Sequence, residues 1–214
     1  MKVIVFGAHG RVGQQICAKL KSGVTGVIRS DEQADAIRKL GASPKVVSVQ
    51  DPVSTLVEAI KGHDAVIFTA GAGGKGGAER TVAIDLDGAA KTFEASELAG
   101  VKRYIMVSAF KAAEREYWYN GPLRTYYIAK HFADRELQRT KLDWTILQPA
   151  ALLDGQGTGT VAPIAGAETS DLPKQIFRED VASVVEASLK EPKTIGKVLP
   201  LINGDVAIAD ALAQ

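Results

Sequence analysis

The sequence predicts an α/β protein built on a doubly wound, mostly parallel sheet of about seven strands, closed by a short C-terminal cap. Two observations predict it. Seven short apolar runs, rich in β-branched residues, are apolar throughout instead of alternating with polar positions. Strands of that kind are covered on both faces, as in a parallel sheet. Helical stretches separate the runs, and strict β-α alternation implies right-handed crossovers and a doubly wound topology.

The predicted strands are residues 3–6, 24–28, 46–49, 65–68, 104–107, 144–147 and 198–202. The predicted helices are 12–22, 31–40, 53–61, 78–99, 122–140 and 180–190. Ser30-Asp31-Glu32-Gln33 has the form of a capping box, and Gly41 is placed to cap the end of the second helix. Asp51-Pro52 opens the third helix, with proline near the first turn. Residues 150–180 carry several glycines and two prolines with little helical periodicity. They read as loops over the carboxyl edge of the sheet, where substrates bind in such folds. Asn203-Gly204 is a turn signal, followed by a short terminal helix.

Composition narrows the class. A length of 214 residues fits one domain, residues 1–214, with a full core. Apolar residues make up 46% and charged residues 24%, and the net charge is +1. That balance points to no nucleic-acid or membrane partner. The single cysteine, Cys17, excludes an internal disulfide and reads as a small buried hydrophobe. No run approaches the ~18 apolar residues of a membrane span. The apolar stretch after Met1-Lys2 is too short for a secretory signal and reads as a strand. The expected location is cytoplasmic and the expected state a monomer or homodimer.

Gly7-Ala8-His9-Gly10-Arg11-Val12-Gly13 follows the first strand and opens the first helix. In that context the glycines have physical roles. One permits the tight turn, one lets backbone N–H groups approach a pyrophosphate, and Gly13 allows close helix-strand packing. The helix start then offers free donors and a positive dipole end to the phosphates. The loop therefore predicts a dinucleotide site, with His9, Arg11 and Val12 beside the ligand. Arg29 ends the second strand, where NAD-selective sites hold a carboxylate for the ribose 2′-hydroxyl. An arginine can instead pair with a 2′-phosphate, with Arg11 as helper. The expected cofactor is NADP(H), with NAD(H) the alternative, and the other reading of Arg29 is a solvated surface charge.

Several further motifs stand in order: Asp64-Ala65-Val66-Ile67-Phe68-Thr69-Ala70-Gly71, Asp85-Leu86-Asp87-Gly88-Ala89, Val107-Ser108 and Tyr126-Tyr127-Ile128-Ala129-Lys130. Asp143-Trp144-Thr145-Ile146-Leu147-Gln148-Pro149 and Arg178-Glu179-Asp180-Val181-Ala182 complete the set. With the glycine loop, they make residues 1 to about 203 resemble the atypical, extended-type short-chain dehydrogenase/reductases of Rossmann fold. More narrowly, the chain resembles small NAD(P)-binding proteins described as NAD-dependent epimerase/dehydratases or NADH-flavin reductases. The resemblance implies that Ser48 and Val49 flank the adenine and that Thr69, Ala70 and Gly71 line the nicotinamide ribose. It implies a Ser108, Tyr126 and Lys130 catalytic set, with Lys130 also on the ribose. Gln148 and Pro149 would stand near the nicotinamide. Three positions depart from the family pattern. His9 replaces a common threonine, Ser48 a frequent aspartate, and Gln148-Pro149-Ala150-Ala151 a more usual Arg-Pro-Gly-Gly. The missing arginine at 148 removes an anion-recognising group.

The chemistry of such a set is direct. A tyrosine near pKa 10 is a poor base at neutral pH, and a nearby ammonium stabilises its phenolate. Serine polarises the same substrate oxygen. Tyr126 and Lys130 are four apart and share a helix face. Tyr126, Ala129, Ala133 and Leu137 also form one helical stripe, so Tyr126 reads equally as core, and Tyr127 could take the exposed role. His131 and His63 read as packed or surface residues. No cluster has metal-ligand spacing, so no metal is expected. The Gly71–Gly77 run lacks the phosphate-loop form and reads as a flap, with Lys75 near phosphate. Tyr117, Trp118 and Tyr119 could wall a flat apolar substrate or pack the loop. Three functions follow: an NADP(H)-dependent oxidoreductase acting on a small carbonyl, quinone or flavin, an epimerase or dehydratase, and a non-catalytic NADP(H) sensor. The segment after residue 150 is short for a nucleotide-sugar lobe, which weighs against the second.

Overall fold

The computed structural model describes residues 1–74 and 76–213. The order of elements runs β1 (Val3–Phe6), α1 (Arg11–Leu20), β2 (Val24–Ile28), α2 (Ala34–Lys39), β3 (Ser43–Val46), α3 (Val53–Ile60) and β4 (Ala65–Phe68). It continues with α4 (Gly77–Thr81), a π-helical segment (Val82–Gly88), α5 (Ala89–Ala99), β5 (Arg103–Val107), α6 (Arg115–Trp118), α7 (Arg124–Leu137) and β6 (Asp143–Pro149). The last part holds β7 (Ala151–Leu153), β8 (Thr160–Val161), β9 (Gln175–Phe177), α8 (Arg178–Lys190), β10 (Lys197–Leu201), β11 (Val206–Ala207) and α9 (Ile208–Leu212).

Seven strands form one parallel sheet in the order β10-β6-β5-β4-β1-β2-β3. Chain direction through the sheet reverses between β1 and β4, which pair with Phe6 opposite Phe68. This is the switch point at which doubly wound folds open a crevice beyond the strand ends. The apolar runs are continuous because both faces are covered. Val3, Val5, Ile67, Ile105 and Leu147 pack under α1 and α8, while Ile4, Phe6, Val66, Phe68 and Tyr104 pack under α3, α5 and α7. Cys17 is fully buried in the first of these layers, and burial pushes its thiol up to about 11.

Several boundaries differ from expectation. β3 occupies 43–46 instead of 46–49. It is an edge strand with half-exposed side chains, so the apolar run lies just past it, where Val47 turns inward and Val49 packs on the core. The capping box is absent. The Gln33 side chain accepts from Arg29 N, and Ser30 Oγ donates to Glu32 instead of capping. Gly41 does terminate α2, at φ +82. The helix expected at 78–99 contains the π-helical turn, and α6 was not anticipated. Residues 150–180 are not all loop. β7 pairs with β9, and β8 pairs antiparallel with β11, in strands too short to show a periodicity. Asp180 ties this region together by accepting from Thr158 N, Gly159 N and Asn203 Nδ2. His63 is no free surface group. Its ring bridges the Ile60 carbonyl and Thr25 Oγ1. Among the described residues no helix is long and apolar enough to cross a membrane.

Candidate functional site

A cleft of about 760 Å³ opens at the switch point. Its floor is the glycine loop between β1 and α1. Gly7 has φ +85, and a Cβ there would lie 2.6 Å from Ala70 N, so the loop can meet the end of β4 only without a side chain. A Cβ on Gly13 would stand 2.2 Å from Gly7 O, which seats α1 against the loop. Gly10 is the N-cap, in extended backbone, with only a 3.1 Å approach to Gly7 O. Thus Gly7 makes the turn, Gly13 the packing, and Gly10 leaves clear the space before the helix. The first N–H groups of α1 have no intrahelical partner and point into that space. The cradle fits a pyrophosphate.

Most of the expected site residues converge here. Gly7, His9, Gly10, Arg11, Val12, Arg29, Ser48, Val49, Thr69, Ala70, Gly71, Ser108, Tyr126 and Lys130 all line the cleft. Gly13 lies behind the loop. Gln148 and Pro149 do not line it. Both are buried inside β6, and the Gln148 amide donates to Asp134 Oδ2 at 2.9 Å. Lys75 lies outside the described residues. The Arg29 guanidinium sits at the exposed end of the cleft. Ser48 shapes its own turn, its N–H donating to Asp51 Oδ2 and its hydroxyl accepting from Gln50 N.

The opposite end carries the ionisable groups. α7 is held by Ala129, Ala133 and Leu137, all fully buried, which leaves Tyr126 and Lys130 facing the cleft. Lys130 is nearly sealed from solvent. Its Nζ lies 3.2 Å from Asp85 Oδ1, and it donates to the Val107 carbonyl at 3.4 Å. Burial works to lower the Lys130 value, but Tyr126, Asp85 and Asp134 together outweigh it and raise it. Lys130 is therefore a firm cation. Tyr126 is half-buried, with Lys130 Nζ 5.7 Å from its ring centre. Burial raises the Tyr126 phenol above its usual value. Lys130 opposes that shift, while Asp85 and Asp134 add to it. Ser108, at the end of β5, is 4% exposed, and its Oγ has no well-formed hydrogen bond among the described residues. It lies near enough to Asp134 to favour that group's ionised form.

Three residues in this arrangement carried no expected role. Asp85 comes from the π-helical turn, which packs against α7, and it lines the cleft. It accepts from Ala72 N at 2.9 Å and takes the counter-charge position beside Lys130. Its only sequence signal was its place in the motif Asp85-Leu86-Asp87-Gly88-Ala89. Asp134 lies one turn beyond Lys130 and is 4% exposed. Burial lifts its pKa to about 6 against the opposing pull of Ser108, Gln148 and Lys130. Arg178, the first residue of α8, forms part of the cleft wall.

Residues around the site are structural. Trp118 is buried, stacks on Tyr127 at 7° and donates from Nε1 to Ala112 O. Tyr117 packs edge-on against Phe110 and Tyr127, and Tyr119 lies against Arg124. None of the three lines the cleft, so they pack the loop. His131 is buried, with Nδ1 on the Ala112 carbonyl and Nε2 beside Arg115. Pro122, Leu123 and Leu152 give the far end apolar walls.

Comparison with known proteins agrees with this geometry. Residues 7–192 match the family described as NAD(P)H-binding. A Bacillus subtilis protein named "Uncharacterized sugar epimerase YhfK" is 41% identical over all of both chains. A Bacillus halodurans structure bearing an NAD-dependent epimerase/dehydratase name is 36% identical, with a TM-score of 0.89 over 99% of this chain and 98% of the other. The oxidoreductase ylbE of Lactococcus lactis is 31% identical, with a TM-score of 0.87 over 99% and 95%.

Proposed function

The chain belongs to the NAD(P)H-binding family, and from that premise we propose that it is an NADP(H)-dependent oxidoreductase acting on a small carbonyl, quinone or flavin. One observation carries the reading. Ser108, Tyr126 and Lys130 line the far end of the same cleft whose near end holds the glycine loop and Arg29. The bound nicotinamide supplies a hydride, and the protein's residues hold and orient. The loop N–H groups take the pyrophosphate. Arg29, where a carboxylate would favour NAD, gives a 2′-phosphate a cationic partner. Lys130 holds a positive charge beside the ribose position. Ser108 lines the cleft beside them.

Tyr126 decides how the proton moves. Burial and two nearby carboxylates raise its pKa, so at neutral pH it rests protonated, in the form that passes a proton from Oη and not the form that takes one. This favours reduction over the proton abstraction from a hydroxyl with which an epimerase begins. The epimerase names of two relatives are thus less well matched by this site.

The test is NADPH oxidation with a panel of quinones, flavins and small carbonyls, run beside NADH. Turnover with NADPH in preference to NADH is expected. Turnover lost in Tyr126→Phe identifies a carbonyl substrate that takes its proton from the tyrosine. Turnover that survives identifies a quinone or flavin. Stoichiometric NADPH binding without turnover on any acceptor would overturn the enzyme reading in favour of a sensor.

A further inference from the structure

Two arginines from adjacent helices meet on one carboxylate at the mouth of the cleft. Arg11, the first residue of α1, donates to Asp154 Oδ2 at 2.9 Å. Arg178, the first residue of α8, donates to Asp154 Oδ1 at 2.7 Å. The helices pack side by side, so the two guanidiniums flank a single position. Their burial differs sharply. The Arg178 side chain is 11% exposed, whereas Asp154 is 68% and Arg11 69% exposed. A buried cation requires a counter-charge, yet the one Arg178 has among the described residues is a carboxylate standing mostly in water. Both arginines also occupy first turns, where the helix dipole repels a cation. Helix stability therefore does not account for either. The nearby acids of α8 are engaged elsewhere, Glu179 with Gly157 N and Asp180 with Thr158 N and Gly159 N.

The two oxygens of a carboxylate present the same edge to a guanidinium as two oxygens of a phosphate. Arg11 belongs to the glycine loop, beside the unpaired N–H groups of α1. We propose that Arg178 binds the pyrophosphate of the dinucleotide beside the glycine loop. Asp154 is an internal anion that holds the two arginines together until the pyrophosphate displaces it. The inference rests on the dinucleotide reading above and adds to it a residue outside the glycine loop and a built-in competitor. An exposed monovalent carboxylate is exchanged for a doubly charged group that the helix start also favours, so the exchange runs toward the ligand.

Calorimetric titration of the full chain with NADPH, NADH and adenosine 2′-phosphate tests this. Asp154→Ala removes the competitor and should tighten both dinucleotides by about two- to fivefold, the worth of an exposed ion pair. Adenosine 2′-phosphate, which lacks the pyrophosphate, should be unaffected. Arg178→Gln and Arg178→Met, checked for an unchanged melting transition, should weaken both dinucleotides by at least about tenfold. In an Arg178→Gln background the gain from Asp154→Ala should shrink, whereas a general field effect of the lost charge would persist. Unchanged or weaker binding in Asp154→Ala overturns the proposal, as does an effect confined to NADPH. If the wild-type chain binds NADPH and these variants do not differ, the inference fails alone. If the wild-type chain binds neither dinucleotide, the cofactor reading falls with it.

Discussion

Lys130 Nζ lies 3.2 Å from Asp85 Oδ1, with the two side chains 4% and 1% exposed. This ion pair joins α7 to the π-helical turn and sets the charge beside Tyr126. Removing one partner of a buried pair leaves an uncompensated charge, which costs about 3–5 kcal/mol. Asp85→Ala should therefore lower stability by that amount in urea unfolding. Asp85→Leu with Lys130→Met should recover most of it, because no lone charge remains. A single mutant as stable as the wild type would show that Lys130 finds its charge balance elsewhere.

Asp134 gives stability a pH dependence of unusual sign. Its pKa, about 6 in the fold, stands above the usual 3.8 of the unfolded chain. The native state therefore binds the proton more tightly, and stability rises as pH falls from about 7 to 4. Above pH 6 the ionised carboxylate costs about 3 kcal/mol by the size of that shift. Asp134→Asn should raise the melting temperature at pH 7 and flatten the slope between pH 4 and 7. A less stable variant at pH 7, or an unaltered slope, would count against this account.

The glycines of the loop should separate binding from folding. A side chain at Gly13 would meet Gly7 O at 2.2 Å, so Gly13→Ala should destabilise the protein itself. A Cβ at Gly10 would meet only Gly7 O, at 3.1 Å, so Gly10→Val should cost the fold less than Gly13→Ala while losing NADPH, since the side chain would fill the pyrophosphate space. Thermal melting and calorimetry distinguish the two, and Gly10→Val binding NADPH normally would refute the assignment.

Arg29 has no acidic partner among the described residues, so its removal should cost the fold little. If it reads a 2′-phosphate, Arg29→Ala should weaken NADPH by about 1.5–3 kcal/mol and leave NADH nearly unchanged. Equal losses for the two cofactors would sink the NADP assignment.

What could be read from the sequence was what local pattern encodes. Apolar runs without alternation determined the buried parallel sheet, because strands covered on both faces favour apolar residues at successive positions. The spacing of Gly7, Gly10 and Gly13 between a strand and a helix determined the phosphate cradle, because only glycine permits that backbone approach. The four-residue interval from Tyr126 to Lys130 determined that both share a helix face. Tertiary structure decided which groups those side chains meet. Asp85 reaches Lys130 because the π-helical segment packs against α7, a contact that no local spacing encodes. Asp134 is perturbed because the fold buries it between α7 and β6, against the opposing bond from Gln148, fourteen residues away in sequence. Arg11 and Arg178 converge on Asp154 because α1 and α8 pack together. Gln148 was expected at the nicotinamide, and the fold turns it inward to Asp134 instead. Spacing along a chain specifies backbone geometry, but charge compensation depends on which elements the core brings together.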